Sequence, residues 1–217
     1  MAVGPFMTIR QGNAPSARLR EDMVHFQSRP IHGTWRKGYA LDLHTISSTL
    51  LGYDAFGRMQ FDTKRSEIGD LLYKLKYNHD MRVVPEIVEA VEKLLKAWNP
   101  MVDILVPVPP STPRKVQPVL VRAKTISQQL HIPLANCVSR VRDIPQLKDV
   151  LDRNERVKLL DGLHKVDTSA TQGKRVLLFD DLYRSGATMN AITAELYGKG
   201  KASEVFALTI TRTRSNQ

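Results

Sequence analysis

Three stretches of the chain are nearly continuous apolar runs: "VDILVPV" (102–108), "VLLF" (176–179) and "EVFALTI" (204–210). Runs of that length suit strands buried on both faces of a parallel sheet. Elsewhere the apolar residues recur at helical spacing. "SEIGDLLYKLKY" carries Ile68, Leu71, Leu72 and Leu75 on one side. "PEIVEAVEKLLKAW" carries Ile87, Val88, Val91, Leu94, Leu95 and Trp98 along one stripe. Pro85 suits a first helical turn, and Asn99-Pro100 stops the helix. Further helices are predicted over about 119–130 and 187–199, the second closed by Gly198 and Gly200. A short strand is expected in "IPLANCVSRV", and "LKDVLDRNERVKLLDGLHKV" (147–166) reads as either a helix or a mobile flap.

The first part of the chain has another character. "YALDLHTIS" (39–47) alternates as a strand does, and "LLGYDAFGRMQFDT" (50–63) reads as two strands joined by a turn near Gly57. Residues 1 to about 38 show no sustained period and read as an arm, either loosely ordered or resting on another surface. The expected organisation is an arm with a small β-rich extension over 1–62, followed by an α/β domain over 63–217. In that domain helices alternate with apolar strands, which predicts a mainly parallel sheet flanked by helices. No internal repeat or low-complexity tract interrupts it.

Composition narrows the class. A chain of 217 residues that is 42% hydrophobic can build one good core. No apolar run approaches the roughly 20 residues that cross a bilayer, and the N-terminus lacks the apolar segment of a secretory signal. The single cysteine, Cys137, excludes an intrachain disulfide and a cysteine-rich zinc site, and its apolar surroundings suit a packed thiol. The expectation is a soluble, cytoplasmic protein without a membrane partner. The 6 histidines show no metal-ligand spacing, so no metal is assigned to side chains of the chain alone. Trp35, Tyr39 and Tyr53 lie near basic residues, which fits either base stacking or packing of the β-rich extension.

The net charge of +10 raises the question of an anionic partner. From Ile104 to Arg142 there is no acidic residue, while Arg114, Lys115, Arg122, Lys124, Arg140 and Arg142 fall inside that window. Charge segregated over so long a stretch points to an anion-facing surface.

The chemistry concentrates in "VLLFDDLYRSGAT" (176–188). Two adjacent carboxylates, Asp180 and Asp181, follow an apolar strand where it reaches its carboxyl end. Paired acids repel and add nothing to a core, so they point to function. The turn that follows opens a helix near Ala187, whose first N–H groups lack partners within it and, with the helix dipole, suit a phosphate. Gly186 permits close approach or a positive φ, and Ser185 and Thr188 offer hydroxyls. Asp180 and Asp181 are acceptors and suit sugar hydroxyls or hydrated Mg²⁺.

This stretch resembles the phosphoribosyl pyrophosphate (PRPP) motif of type I phosphoribosyltransferases, with Ser185 in place of the usual threonine. More of the chain resembles the ComF branch: "IGDLLYKLKYNHD" (68–80), "DILVPVPPSTPRK" (103–115) and "SRVRDIPQLKDVLDRNERVKLLDG" (139–162). It lacks the cysteine-rich module with which members often begin. "KVQPVLVRAKTISQQ" stands where they usually carry an Arg-Gly-Phe-Asn-Gln segment. The resemblance implies a type I phosphoribosyltransferase-like fold. It implies Asp180 and Asp181 on the ribose hydroxyls, and Arg184, Ser185, Gly186, Ala187 and Thr188 around the 5′-phosphate. The cofactor implied is Mg²⁺, carried with PRPP.

A bound PRPP needs its pyrophosphate held elsewhere, and Ser111, Thr112, Arg114, Lys115 and Arg122 are the candidates in the acid-free window. Loss of pyrophosphate leaves an oxocarbenium-like ribose, so catalysis would be electrostatic and positional. Arg184 occupies the position where purine-salvage relatives often carry an aspartate, and an arginine cannot serve as a base near neutral pH. Two functions stay open: Mg²⁺-dependent pentosyl transfer to an unidentified acceptor, or non-catalytic sensing of PRPP or a nucleotide phosphate together with single-stranded DNA or DNA-processing proteins. A homodimer is compatible with the chain, which does not fix its oligomeric state.

Overall fold

The computed structural model describes residues 24–110, 118–145, 150 and 152–214. In chain order its elements are β1 (Arg29–Pro30), β2 (Lys37–Leu43), β3 (Ser47–Tyr53), β4 (Met59–Lys64), α1 (Glu67–Tyr77), α2 (Val84–Trp98), β5 (Ile104–Pro107) and α3 (Pro118–Leu130). They continue with β6 (Val138–Arg140), α4 (Arg153–Leu160), β7 (His164–Val166), α5 (Thr168–Thr171), β8 (Arg175–Tyr183), α6 (Ala187–Gly198) and β9 (Glu204–Arg212).

The central sheet runs β1-β2-β9-β8-β5, parallel from β2 to β5, with β1 antiparallel at one edge. Its middle strands are buried on both faces, which is why their sequences are apolar without alternation. Along β8, Leu177 and Phe179 pack with α1, α2 and α3, whereas Val176 and Leu178 pack against α6 on the other face. All four are fully buried, and each such side chain contributes roughly 1.5–3 kcal/mol by leaving water. Asp103 ties the start of β8 to β5: it accepts from Arg175 Nη2 at 2.7 Å and from the Arg175 backbone N–H at 2.8 Å.

The helices start and stop where their residues dictate. Ser66 caps α1 by accepting from Gly69 N–H at 2.9 Å, and its hydroxyl donates to the Leu43 carbonyl, which fastens α1 to the end of β2. Gly69 lies so close to the His44 carbonyl that a Cβ would stand 2.2 Å from its oxygen. α2 ends on Asn99 at φ 51°, a left-handed cap that asparagine tolerates.

Several expectations change. The strand expected near 39–47 is a member of the central sheet, paired with β9, and so is not part of a separate N-terminal extension. Of the expected arm, residues 1–23 lie outside the described residues, and residues 29–38 rest on the domain: Ile31 and Trp35 are core residues, and Asn190 of α6 accepts from the Thr34 N–H at 2.8 Å. Single anchors of this kind carry no period that a sequence pattern can display. The two strands around Gly57 form the separate ribbon β3–β4. In the charged stretch 147–166, α4 forms behind the Asp152 cap and β7 pairs with β6. The four-residue α5 had no sequence signal.

Candidate functional site

β8 outruns its neighbour. Pro107 pairs with Phe179 and β5 ends there, whereas β9 accompanies β8 to Tyr183 through the pairs Asp180–Thr209, Leu182–Thr211 and Tyr183–Arg212. The acid pair therefore lies within the strand rather than just beyond it. From Asp180 onward, β8 is unpaired on the β5 side among the described residues. The gap is the mouth of a cavity of about 580 Å³, lined by Asp180–Met189, by Val108–Pro110, by Lys76 and Tyr77 of α1, and by Ile144, Pro145 and His164.

Gly186 begins α6 at φ +74°, and no side chain caps that helix. The first-turn amides belong to Ala187, Thr188 and Met189, all three lining the cavity, so this helix end faces open space. Neither Ser185 nor Thr188 acts as the cap. Tyr183 braces the turn: its hydroxyl donates to the His32 carbonyl at 2.8 Å, and its ring meets Trp35 edge-on. A Cβ on Gly186 would stand 2.8 Å from that ring, so the turn is shaped for glycine. Arg184 and Ser185 are exposed at the rim.

The two carboxylates have different surroundings. Asp181 Oδ2 lies 2.8 Å from Lys76 Nζ and 3.1 Å from Arg122 Nη1. Asp180 Oδ1 accepts from the Asp181 backbone N–H at 2.7 Å. Burial pushes the Asp180 carboxyl up to about 7, and the neighbouring Asp181 charge pushes it the same way. Arg122, expected as a pyrophosphate ligand, projects instead from α3 into the interior, with its side chain 3% exposed and directed to Asp181. Its Nε and Nη2 have no hydrogen-bond partner among the described residues. The other pyrophosphate candidates, Ser111, Thr112, Arg114 and Lys115, lie outside the described residues.

Lys76 and His44 escaped the sequence reading. Lys76 sits in "YKLKY", where nothing local announces an ion pair with a residue more than a hundred positions away. Burial holds the His44 imidazole below its ordinary range, and Lys76, Arg65 and Arg184 reinforce that against Asp181. A group of cations thus shares the carboxyl edge of the sheet with the acid pair. Deeper in the cavity wall, burial and then Arg140 push His164 down to about 4, so it is neutral at physiological pH. Among the described residues no three His, Cys, Asp or Glu side chains form a metal cluster. Two adjacent carboxylates nevertheless suit an Mg²⁺ ion whose remaining ligands come from substrate oxygens and water.

No protein-family model matches the chain. Competence protein ComFC of Bacillus subtilis (strain 168) is 29% identical over 109 residues, 50% of this chain and 44% of ComFC. The chain is thus similar to ComFC over half of its length, and its own fold is α/β with a mainly parallel sheet. It spans less than half the length of that curated relative. Among solved structures, adenine phosphoribosyltransferase from Saccharomyces cerevisiae is similar over 77% of this chain and 85% of its own, at 10% identity and a TM-score of 0.44. Purine phosphoribosyltransferase from Pyrococcus horikoshii Ot3 is similar over 60% of this chain and 83% of its own, at 18% identity and a TM-score of 0.38. Among the described residues no helix is long and apolar enough to cross a membrane.

Proposed function

We propose that the cavity binds PRPP with Mg²⁺ and that the chain is a ComF-type phosphoribosyltransferase-like protein, transferring a pentosyl group to an unidentified acceptor. One observation carries this reading: an uncapped helix N-terminus and a carboxylate pair open on the same cavity. The 5′-phosphate lies on the turn from Arg184 to Thr188, where backbone amides and hydroxyls donate. Asp180 and Asp181 accept from the ribose hydroxyls. Ser111, Thr112, Arg114 and Lys115 receive the pyrophosphate, and Arg122 acts through Asp181.

In the transfer, the bond from C1 to the pyrophosphate oxygen breaks, the electron pair leaves with pyrophosphate, and the acceptor forms the new bond at C1. Asp180 and Asp181 hold the ribose while positive charge develops on the ring. Mg²⁺, when bound with PRPP, neutralises charge on the leaving group. Arg184 serves as an anion ligand and not as a base. A cytoplasmic location accords with this substrate.

Thermal unfolding with PRPP and Mg²⁺, compared with ribose 5-phosphate and nucleoside monophosphates, tests the reading. PRPP is expected to stabilise the chain and the double variant Asp180→Asn with Asp181→Asn to lose the effect. No stabilisation at millimolar PRPP with Mg²⁺ counts against it.

The net charge of +10 favours a second reading, a PRPP or nucleotide sensor that also contacts single-stranded DNA. It predicts DNA affinity that falls steeply with salt. Absent or salt-insensitive binding removes it. A role in competence, the word in the name of ComFC, belongs with this reading.

A further inference from the structure

The β3–β4 ribbon has two unlike faces. Directly opposed residues of an antiparallel pair share a face, and the register sets Leu50 against Phe61 and Tyr53 against Met59. These four side chains form one apolar face. Ser48 and Thr63, their hydroxyls 3.2 Å apart, extend it toward the root. Thr49, Gln60, Asp62 and Lys64 fall on the other face. Leu50 and Tyr53, three positions apart, would ordinarily point to opposite sides. The bulge between Leu50 and Gly52 brings them together. The turn is equally defined, because Asp54 Oδ1 accepts from the N–H groups of Phe56 and Arg58, both at 2.8 Å.

Nothing among the described residues covers this face. Leu50 is 47% exposed, Phe61 51%, Met59 59% and Tyr53 67%, and no third strand joins the ribbon. A two-stranded ribbon has little stability of its own, and an open apolar patch on it marks an interaction surface.

We propose that this face is the contact between two copies of the chain. It has no charged member, so apolar side chains meet apolar side chains when one ribbon is laid on another across a twofold axis. From residue 47 to 64 the charges cancel, Asp54 and Asp62 against Arg58 and Lys64, although the whole chain carries +10. The ribbon therefore offers no electrostatic hold to an anionic lipid or a nucleic acid. The four side chains expose on the order of 400–500 Å² for groups of this size. Two copies would then hide roughly 1,000 Å², the lower bound of a specific interface. Leu51 in the bulge and Phe56 in the turn of the same ribbon are also exposed, at 71% and 83%.

Sedimentation velocity of the full chain, from low to high micromolar concentration, tests it. The expected result is a monomer–dimer equilibrium. Leu50→Thr with Phe61→Thr, and separately Tyr53→Thr with Met59→Thr, are expected to raise the dimer dissociation constant at least tenfold. Threonine keeps the strand preference, and circular dichroism checks that the variants fold. Gln60→Thr, on the opposite face, is expected to leave the equilibrium unchanged. A monomer at every concentration overturns the proposal, as does a dimer that neither double variant weakens. Binding of a monomeric chain to phosphatidylcholine or phosphatidylserine vesicles, abolished by the same variants, also overturns it and assigns the face to lipid.

Discussion

Lys76 Nζ and Arg122 Nη1 converge on one oxygen of Asp181, at 2.8 and 3.1 Å, while neither approaches Asp180 as an ion-pair partner. The adjacent acids are therefore distinct groups: one sits between two cations, and the other depends on a backbone N–H. Arg122→Met removes a buried charged hydrogen bond but leaves Asp181 paired with Lys76, so a loss of about 1–3 kcal/mol is expected, with Lys76→Met less harmful because Lys76 is more exposed. Urea unfolding of the three proteins measures both.

The raised pKa of Asp180 makes stability depend on pH. In the unfolded chain this carboxyl ionises near the ordinary value of 3.8, and in the folded chain near 7. The folded state binds the extra proton between these values. Its contribution is complete at the acid end and is lost as the pH rises through about 7. Asp180→Asn is therefore expected to be more stabilising, relative to the parent, at pH 8 than at pH 5. Unfolding free energies of both proteins at the two pH values check this. If the ionised form holds ribose and Mg²⁺, PRPP affinity rises over the same window.

Gly186 at φ +74° is expected to reject a side chain. Gly186→Ala combines an unfavourable backbone conformation with a contact 2.8 Å from the Tyr183 ring, and a loss of about 1–3 kcal/mol is expected. Tyr183→Phe keeps the ring and removes the bond to the His32 carbonyl, which corresponds to about 1 kcal/mol. Thermal unfolding of each variant provides the comparison, and only Gly186→Ala is expected to abolish PRPP stabilisation.

Cys137 is expected to be a slow nucleophile. Burial pushes its thiol up to about 11, which leaves little thiolate at pH 8. Alkylation by iodoacetamide at that pH is expected to run about 100-fold slower in the folded chain than in denaturant, where the thiol returns to its usual range.

What could be read from the residues depended on how local the signal was. β8, β9 and α2 announce themselves because burial on two faces, or along one stripe, repeats within a short window. The acid pair stood out because it ends such a run. Its place inside β8 did not, since the strand continues only because β9 continues beside it. β2 looked like part of a β-rich extension because its alternating pattern does not reveal its pairing with β9, far along the chain. Lys76 and Arg122 reach Asp181 from two helices, and no spacing in the chain encodes that meeting. Trp35 packs beneath Tyr183 as a lone anchor without periodic neighbours.

The central claim is that the amides opening α6 and the Asp180–Asp181 pair hold PRPP together. Isothermal titration calorimetry of PRPP with Mg²⁺, into the parent chain and into Asp180→Asn with Asp181→Asn, tests it most directly. Saturable binding near one ligand per chain, lost in a folded double variant, is the predicted result. No heat of binding to the parent, or equal affinity in both proteins, would contradict the claim.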